Sequence, residues 1–461
     1  MNSKLEEFNN SLKNSKVAVI GAGVSNLPLL SYLYDLDVDY SLFDKNDMDK
    51  LSLEVKDCIN KYNINTYLGE NCLENLVGYD IIFRSPSCLP TNPYLVKERD
   101  RGALITTEVE QVLKLSCAKS IGITGSKGKT TTTTIINDVL TKLGYNTFLG
   151  GNIGIPLFSE IKNITKDDII VLELSSFQLM NMSVSPNVSV VTNISPDHLD
   201  IHGSYEEYIN AKKYIYLNQS KDDYLVLNND DKIVKDFCKD SKSNIKYYGT
   251  DRRNNTFYLK DNFICFNNNK IIDTNKLILR GKHNFINICA ALTGISCLID
   301  MDLDKLEDII KDINSVHHRL EFVREINGVK WYNDSASTTP DKSLAGIYSF
   351  PNDIVLICGG YDKNISYEPL AKPILEHVSK LILFGNTKDK IYDAVMKEKK
   401  KVSNSDLQIY VMDTLDEVID VAYKVSVSGE VVLFSPASAS FDMFKNAYQR
   451  GDLFKEKVNK L

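Results

Sequence analysis

Ser120-Ile121-Gly122-Ile123-Thr124-Gly125-Ser126-Lys127-Gly128-Lys129-Thr130-Thr131-Thr132 joins an apolar run to a glycine-bracketed, lysine-bearing loop and a string of threonines. The apolar run predicts a strand, the glycines a tight turn, and the continuation over 130–143 a helix. A turn that feeds a helix N-terminus aims successive backbone N–H groups at one point, where an anion is favoured. Gly125, Ser126, Lys127 and Gly128 are therefore expected to cradle the phosphates of ATP. Lys129 would reach the β- and γ-phosphates, and the hydroxyl of Thr130, followed by Thr131, would meet Mg²⁺. Gly125 and Gly128 enclose only two residues, fewer than the Walker A pattern places there.

Outward from this loop the same alternation continues. Toward the amino end, Lys16-Val17-Ala18-Val19-Ile20-Gly21 reads as a strand, 27–34 as a helix, and 40–44 and 80–84 as further strands, the last ending in Ser85-Pro86-Ser87. Toward the carboxyl end, strands are expected at 168–174 and 188–193. The Asn-, Lys- and Asp-rich stretch 218–275, with short strands at 224–227, 257–259 and 263–266, reads as a peripheral antiparallel portion. A helix begins at Asn284, a hinge-like segment follows at 313–318, and strands are expected at 329–332, 353–358, 380–384, 408–411 and 430–434. Strands alternating with helices predict an α/β fold with mostly parallel sheets. Three domains are expected: a Rossmann-like domain at 1–111, a central P-loop ATPase-like domain at 112–313, and a Rossmann-like α/β domain at 314–461.

A chain of 461 residues exceeds what one hydrophobic core serves, in keeping with several domains. Apolar residues make up 43% and charged residues 25%, the balance of an ordinary globular protein. No apolar run is long enough for a bilayer span, and Met1-Asn2-Ser3-Lys4-Leu5-Glu6-Glu7 lacks the apolar core of a signal peptide. A cytoplasmic protein without a membrane partner is expected. A net charge of −7 without a basic block argues against a nucleic-acid partner. Nine cysteines without a Cys-x-x-Cys pair suggest neither a disulfide framework nor a thiolate zinc site.

Other residues carry chemistry by type and position. Glu173 ends an expected strand, where a carboxylate can face the loop's magnesium. Asp197, His198, Asp200 and His202 fall within six positions; their imidazoles suit a transition metal and their oxygens suit Mg²⁺, and both readings stand at this point. Gly21-x-Gly23, with Asp44 further on, fits a dinucleotide site, although Asn26 replaces the third glycine of that fingerprint.

Thr124-Gly-Ser-Lys-Gly-Lys-Thr-Thr-Thr132 resembles the Thr-Gly-x-x-Gly-Lys-[Ser/Thr] signature of the Mur ligase and folylpolyglutamate synthetase superfamily. Asp197-His198 followed by Ala211-Lys212, Gly281-Lys-His283-Asn284 with Asn287, His318-Arg319, and Asp334-Ser335 resemble further elements of that family. The resemblance implies that His198 belongs to the active site. It also implies that Lys212 is carbamylated, so as to hold the second of two Mg²⁺ ions. Asn284 and Asn287 would lie beside the adenine, Arg319 would meet the γ-phosphate, and Asp334 the ribose. Lys129, His198, Lys212 and Arg319 would be the catalytic set, with Thr130, Glu173, His198 and Lys212 around the metal.

The two ends are similar to the branch of the family that adds D-glutamate to UDP-N-acetylmuramoyl-L-alanine. Val19-Ile20-Gly21-Ala22-Gly23-Val24-Ser25-Asn26, Asp44-Lys45, Ser85-Pro86 and Gly151-Asn152 carry one side of that likeness. Leu433-Phe-Ser435-Pro436-Ala-Ser-Ala-Ser440-Phe441-Asp442 carries the other. By resemblance, Val24, Ser25, Asp44, Lys45, Ser85, Asn152 and His198 would hold the UDP-sugar, and Thr338, Lys363, Ser440 and Phe441 the D-glutamate. Ala336 and Ala447 depart from the pattern, standing where a lysine and an aromatic are common. The implied reaction forms an amide through an acyl phosphate, in peptidoglycan precursor synthesis, by a monomer. A folylpolyglutamate synthetase would lack the domain at 1–111, and an NTP-driven switch would leave 435–440 unexplained.

Overall fold

The computed structural model describes residues 3–23, 25–252, 254–313, 316–350, 353–401 and 406–461. The chain divides into two compact units, Met1–Lys270 with Ile286–Leu303, and Ile271–Phe285 with Asp304–Leu461. Among the described residues the strands form three sheets, of five, nine and six strands.

The first sheet is wholly parallel, in the order Asn65–Leu68, Tyr40–Asp44, Val17–Ile20, Ile81–Arg84, Leu104–Thr106. Its three middle strands are buried along their whole length, as parallel strands covered by helices on both faces must be. The chain order reverses beside Val17–Ile20, so a crevice opens where Gly21 and Ser85 leave the sheet.

In the second sheet Lys119–Thr124 lies between Ile169–Glu173 and Val188–Val191, parallel to both. Ile123 is in register with Glu173 on one side and Val190 on the other. The glycine loop therefore emerges between Glu173 and Thr192. It feeds the helix Lys129–Lys142, whose N-cap is Gly128. The stretch expected to be antiparallel differs. Tyr224–Asn228 pairs parallel with Val188–Val191, Asn244–Thr250 pairs parallel with Tyr224–Asn228, and antiparallel pairing begins at Asn255–Lys260 with Phe263–Phe266. The helix Lys232–Asp236 and a 3₁₀ turn between the strands supply a crossover, which allows parallel pairing where a tight turn would not.

One apolar core runs beneath both sheets of this unit. Phe158 meets Phe83 and Tyr32 at ring-centroid distances of 5.9 and 5.0 Å. Arg84, buried at the end of its strand, donates to the carbonyls of Phe177 at 3.3 Å and Met180 at 2.9 Å.

The third sheet has the order Glu321–Ile326, Val329–Asn333, Val431–Phe434, Ile354–Gly359, Val378–Phe384, Gln408–Val411. All pairs are parallel except the first. Glu321–Ile326 was not among the expected strands; Glu321, Arg324 and Glu325 break any apolar alternation and hide an edge strand held by a hairpin at Asn327-Gly328. The last strand slots between two earlier ones, so Asp334, Ser435 and Gly359 leave neighbouring strands together.

Candidate active site

The glycine loop can form only with glycine at two positions. Gly125 has φ +145° and Gly128 φ +83°. A Cβ at Gly125 would run into Thr192 Oγ1, and one at Gly128 would stand 2.6 Å from Asn287 Oδ1.

The segment after Val188–Val191 clamps the loop from outside. Ser126 N donates to Asn193 O at 2.8 Å, and Lys127 N to Asn193 Oδ1 at 3.0 Å. Thr192 Oγ1 and Asn193 Nδ2 both donate to Lys127 O at 2.7 Å. The clamp is itself braced: Asn228 Nδ2 donates to Thr192 O at 2.9 Å, Tyr248 Oη lies 3.1 and 3.0 Å from the carbonyls of Val191 and Thr192, and Ile194 N donates to Asp231 Oδ2 at 3.0 Å.

Two lysines meet on one carbonyl. Lys129 Nζ donates to Gly125 O at 2.8 Å and Ser126 O at 3.1 Å, and Lys212 Nζ donates to the same Gly125 O at 2.9 Å. Lys212 is 1% exposed. Burial, then the neighbouring Lys129 cation, pull its pKa down to about 7. A lysine so placed is partly a neutral amine at neutral pH, the form that can add CO₂. Its Nζ also lies 4.7 Å from the centre of the Tyr208 ring, and Tyr208 Oη is 2.8 Å from Ser126 Oγ.

Glu173 is 1% exposed. Its Oε1 accepts from Asn152 Nδ2 at 2.7 Å, while Oε2 is buried without a hydrogen-bond partner. A buried carboxylate oxygen left unsatisfied implies a missing donor or cation. The residues fit Mg²⁺: oxygen donors at Glu173 and Thr130, with phosphates and water to complete the shell. Among the described residues no three His, Cys, Asp or Glu side chains converge to hold a metal by themselves. The transition-metal reading of 197–202 therefore finds no ligand set there. His198 is half exposed, with φ +52° and Nε2 3.7 Å from Asp197 Oδ2.

The first sheet presents a cleft of about 620 Å³ lined by Gly21, Asp44, Lys45, Ser85 and Asn92 among others. Asp44 Oδ2 accepts from Ala22 N at 2.8 Å and Oδ1 from Asn46 N at 2.8 Å. Asn26 Nδ2 donates to Ile20 O at 3.0 Å and Gly21 O at 3.1 Å, so the residue in place of the third glycine ties the loop back on its strand. Ser25 is half-buried and Lys45 exposed. Asn152 donates its backbone N–H to Glu173 O at 2.8 Å, and Val24 lies outside the described residues.

In the other unit, Asp334 is buried with both oxygens engaged. Leu320 N donates to Oδ1 at 3.1 Å and Ser435 Oγ to Oδ2 at 2.6 Å. Burial outweighs these bonds and raises its pKa to about 6. Arg319 is exposed on the turn before Leu320. Ser440 is buried and Phe441 exposed, its ring edge-on to Tyr361 at 5.9 Å. Arg450, fully buried, donates to Ser438 O at 3.1 Å, Ala439 O at 2.9 Å and Ser335 O at 2.9 Å. Thr338 is half-buried and Lys363 exposed. Asn284 Nδ2 donates to Arg280 O at 2.6 Å.

Known proteins match this arrangement over its whole length. The Mur ligase middle domain matches residues 123–294, and the Mur ligase glutamate ligase domain residues 318–438. A protein of Acetivibrio thermocellus named UDP-N-acetylmuramoylalanine–D-glutamate ligase is 44% identical, with all of both chains covered. One of Clostridium tetani with the same name is 43% identical over the full length of both. The chain belongs to the Mur ligase family. Among solved structures, this Mur ligase is similar in fold to UDP-N-acetylmuramate–alanine ligase of Thermotoga maritima, with a TM-score of 0.58, 19% identity and coverage of 97% and 99% of the two chains. The MurF ligase of the same organism gives 0.56, 17% identity and coverage of 98% and 97%.

The structure thus brings Gly125, Ser126, Lys129, Glu173, Asn152, Lys212 and Asn287 around one loop. Residues that the sequence did not single out also stand around the loop and its clamp. Tyr208 precedes Lys212 by four positions, a helical spacing that could have found it. Thr192 holds the loop, and Asn228, Asp231 and Tyr248 brace the segment around Thr192 from distant parts of the chain, so none of them leaves a local signal.

Proposed function

We propose that this Mur ligase is an ATP-dependent amide ligase that adds D-glutamate to UDP-N-acetylmuramoyl-L-alanine, in cytoplasmic peptidoglycan precursor synthesis. Three domains divide the work: a Rossmann-like UDP-sugar domain over 1–111, an ATP-binding domain over 112–313, and a Rossmann-like amino-acid domain over 314–461. One observation carries the reading. Lys129, Lys212 and the unsatisfied oxygen of Glu173 surround a loop built for phosphates, in a chain whose full-length relatives bear that ligase's name.

The alanyl carboxylate attacks the γ-phosphate of ATP, giving an acyl phosphate and ADP. The amine of D-glutamate then attacks the acyl carbon and phosphate leaves. Backbone N–H groups at the start of the helix, from Gly128 to Thr131, and the ammonium of Lys129 neutralise the phosphate oxygens as charge moves, the stabilisation this chemistry chiefly needs. Arg319 adds a second cation, Asn284 and Asn287 hold the adenine, and Asp334 orients the ribose side. Two Mg²⁺ ions, held by Thr130 and Glu173 and by His198 and a carbamylated Lys212, would supply Lewis-acid polarisation of the phosphoryl oxygens. Ser25, Asp44, Lys45, Ser85, Asn152 and Val24, with His198, hold the UDP-sugar. Thr338, Lys363, Ser440 and Phe441 receive D-glutamate. The protein acts as a monomer.

The test is incubation with ATP, Mg²⁺, UDP-N-acetylmuramoyl-L-alanine and single amino acids, following phosphate and product mass. Phosphate release that requires both the acceptor and D-glutamate is expected. Release indifferent to either would overturn the reading.

A further inference from the structure

His202 ends the short helix Leu199–His202 and is 4% exposed. Its Nε2 lies 2.9 Å from Ser176 Oγ, and Ser176 opens the helical turn Ser176–Leu179 that follows Glu173. The imidazole stacks on Phe177, with centroids 4.9 Å apart and planes 12° from parallel. It meets the edge of Tyr208 at 5.2 Å. Phe177 in turn meets His198 at 5.3 Å. One ring therefore touches the chain leaving Glu173, the aromatic beside His198, and the tyrosine one helical turn before Lys212.

A packing role alone does not explain a histidine here. Nδ1 is buried without a hydrogen-bond partner, a cost that phenylalanine in the same stack would not carry. Burial, then the Lys212 cation, hold the imidazole below its ordinary pKa. The neutral ring has one donor and one acceptor nitrogen, and the bond to Ser176 fixes its orientation.

We propose that His202 is a positioning residue for phosphoryl transfer. Its bond to Ser176 fixes the turn after Glu173, and its stack fixes Phe177 and through it His198, so both metal-side groups hold their places relative to Lys212. This rests on the ligase reading above. Orientation of ligands by groups behind them is worth about 10–100-fold in metal affinity or rate in other metal sites.

The test compares variants with the wild type under the assay just described. A wild type that forms no amide overturns the ligase reading itself, before any variant is compared. With an active wild type, His202→Phe, which keeps the stack and loses the bond, is expected to lower kcat about 10–100-fold and to raise the Mg²⁺ needed for half-maximal rate. Its KM for ATP should stay within about twofold, because the loop amides and Lys129 are untouched. The rise in melting temperature on adding Mg²⁺ and ADP should shrink, a readout independent of turnover. His202→Gln, whose amide can replace Nε2, should recover most of each loss. Ser176→Ala should reproduce the defect, and the double variant should be no worse than either single one. His202→Phe with wild-type kcat and Mg²⁺ dependence would overturn the proposal, as would losses that multiply in the double variant. If His202→Phe fails to fold, wild-type Mg²⁺ dependence in Ser176→Ala overturns it equally.

Discussion

Two loops of this chain occupy the same place in their sheets and differ in electrical character. Gly21–Asn26 and Gly125–Gly128 each follow a buried parallel strand and precede a helix. The first is closed by its own neighbours: Asp44 accepts the Ala22 N–H, and Asn26 donates to the Ile20 and Gly21 carbonyls. The second draws two lysines onto the Gly125 carbonyl and is clamped from behind by Thr192 and Asn193. A strand–glycine–helix turn offers backbone N–H groups to an anion, and side chains strengthen or weaken that offer. With a carboxylate on the Ala22 N–H, the first loop has one donor fewer to offer an anion. With two amines beside it, the second attracts one.

The contrast can be broken by experiment. Lys129→Ala should have the largest effect, at least about 10³-fold in kcat/KM, because it removes a cation from the transferring phosphate; phosphate release at near wild-type rates would show that the second loop's charge is dispensable. Glu173→Gln should follow, with a loss of about 10²-fold and a weaker response to Mg²⁺ measured by titration. Asp44→Ala should act on the other loop alone, raising KM for the UDP-sugar about tenfold with little change in kcat. An equal fall in kcat would mean the two loops are not independent.

The smallest effect concerns stability. The folded Lys212 has a pKa near 7, far below that of an exposed lysine. Between these values the unfolded chain binds the extra proton, so stability rises with pH. In CO₂-free buffer without Mg²⁺, the melting temperature of the wild type should gain on that of Lys212→Met as pH goes from about 7 to about 9.5. A constant difference would mean that Lys212 keeps its proton in the folded state.

What could be read from the sequence was what lies close along it. The phosphate loop was legible because strand, glycines, lysine and threonine are contiguous, and Glu173 because it ends an apolar run. Asp44 was legible as the acid that ends the second strand beyond the first loop, but its hydrogen bond to Ala22 N depends on how two strands sit side by side. The parallel pairing of Tyr224–Asn228 was missed because polar turns outweighed a short apolar strand in the reading. The clamp at Thr192 and Asn193 and its supports at Asn228, Asp231 and Tyr248 join residues up to 68 positions apart. Nothing in the type or spacing of such residues points to a shared task.

Those supports alter where damage to this protein would be found. Tyr248 is buried, and its hydroxyl lies against the Val191 and Thr192 carbonyls. A temperature-sensitive allele at Asn228, Asp231 or Tyr248 would mimic a lesion of the nucleotide site while every residue expected to touch ATP stayed intact. Suppressors of such an allele should cluster in the clamp, since tightening Thr192 or Asn193 restores the loop that the outer strands no longer hold.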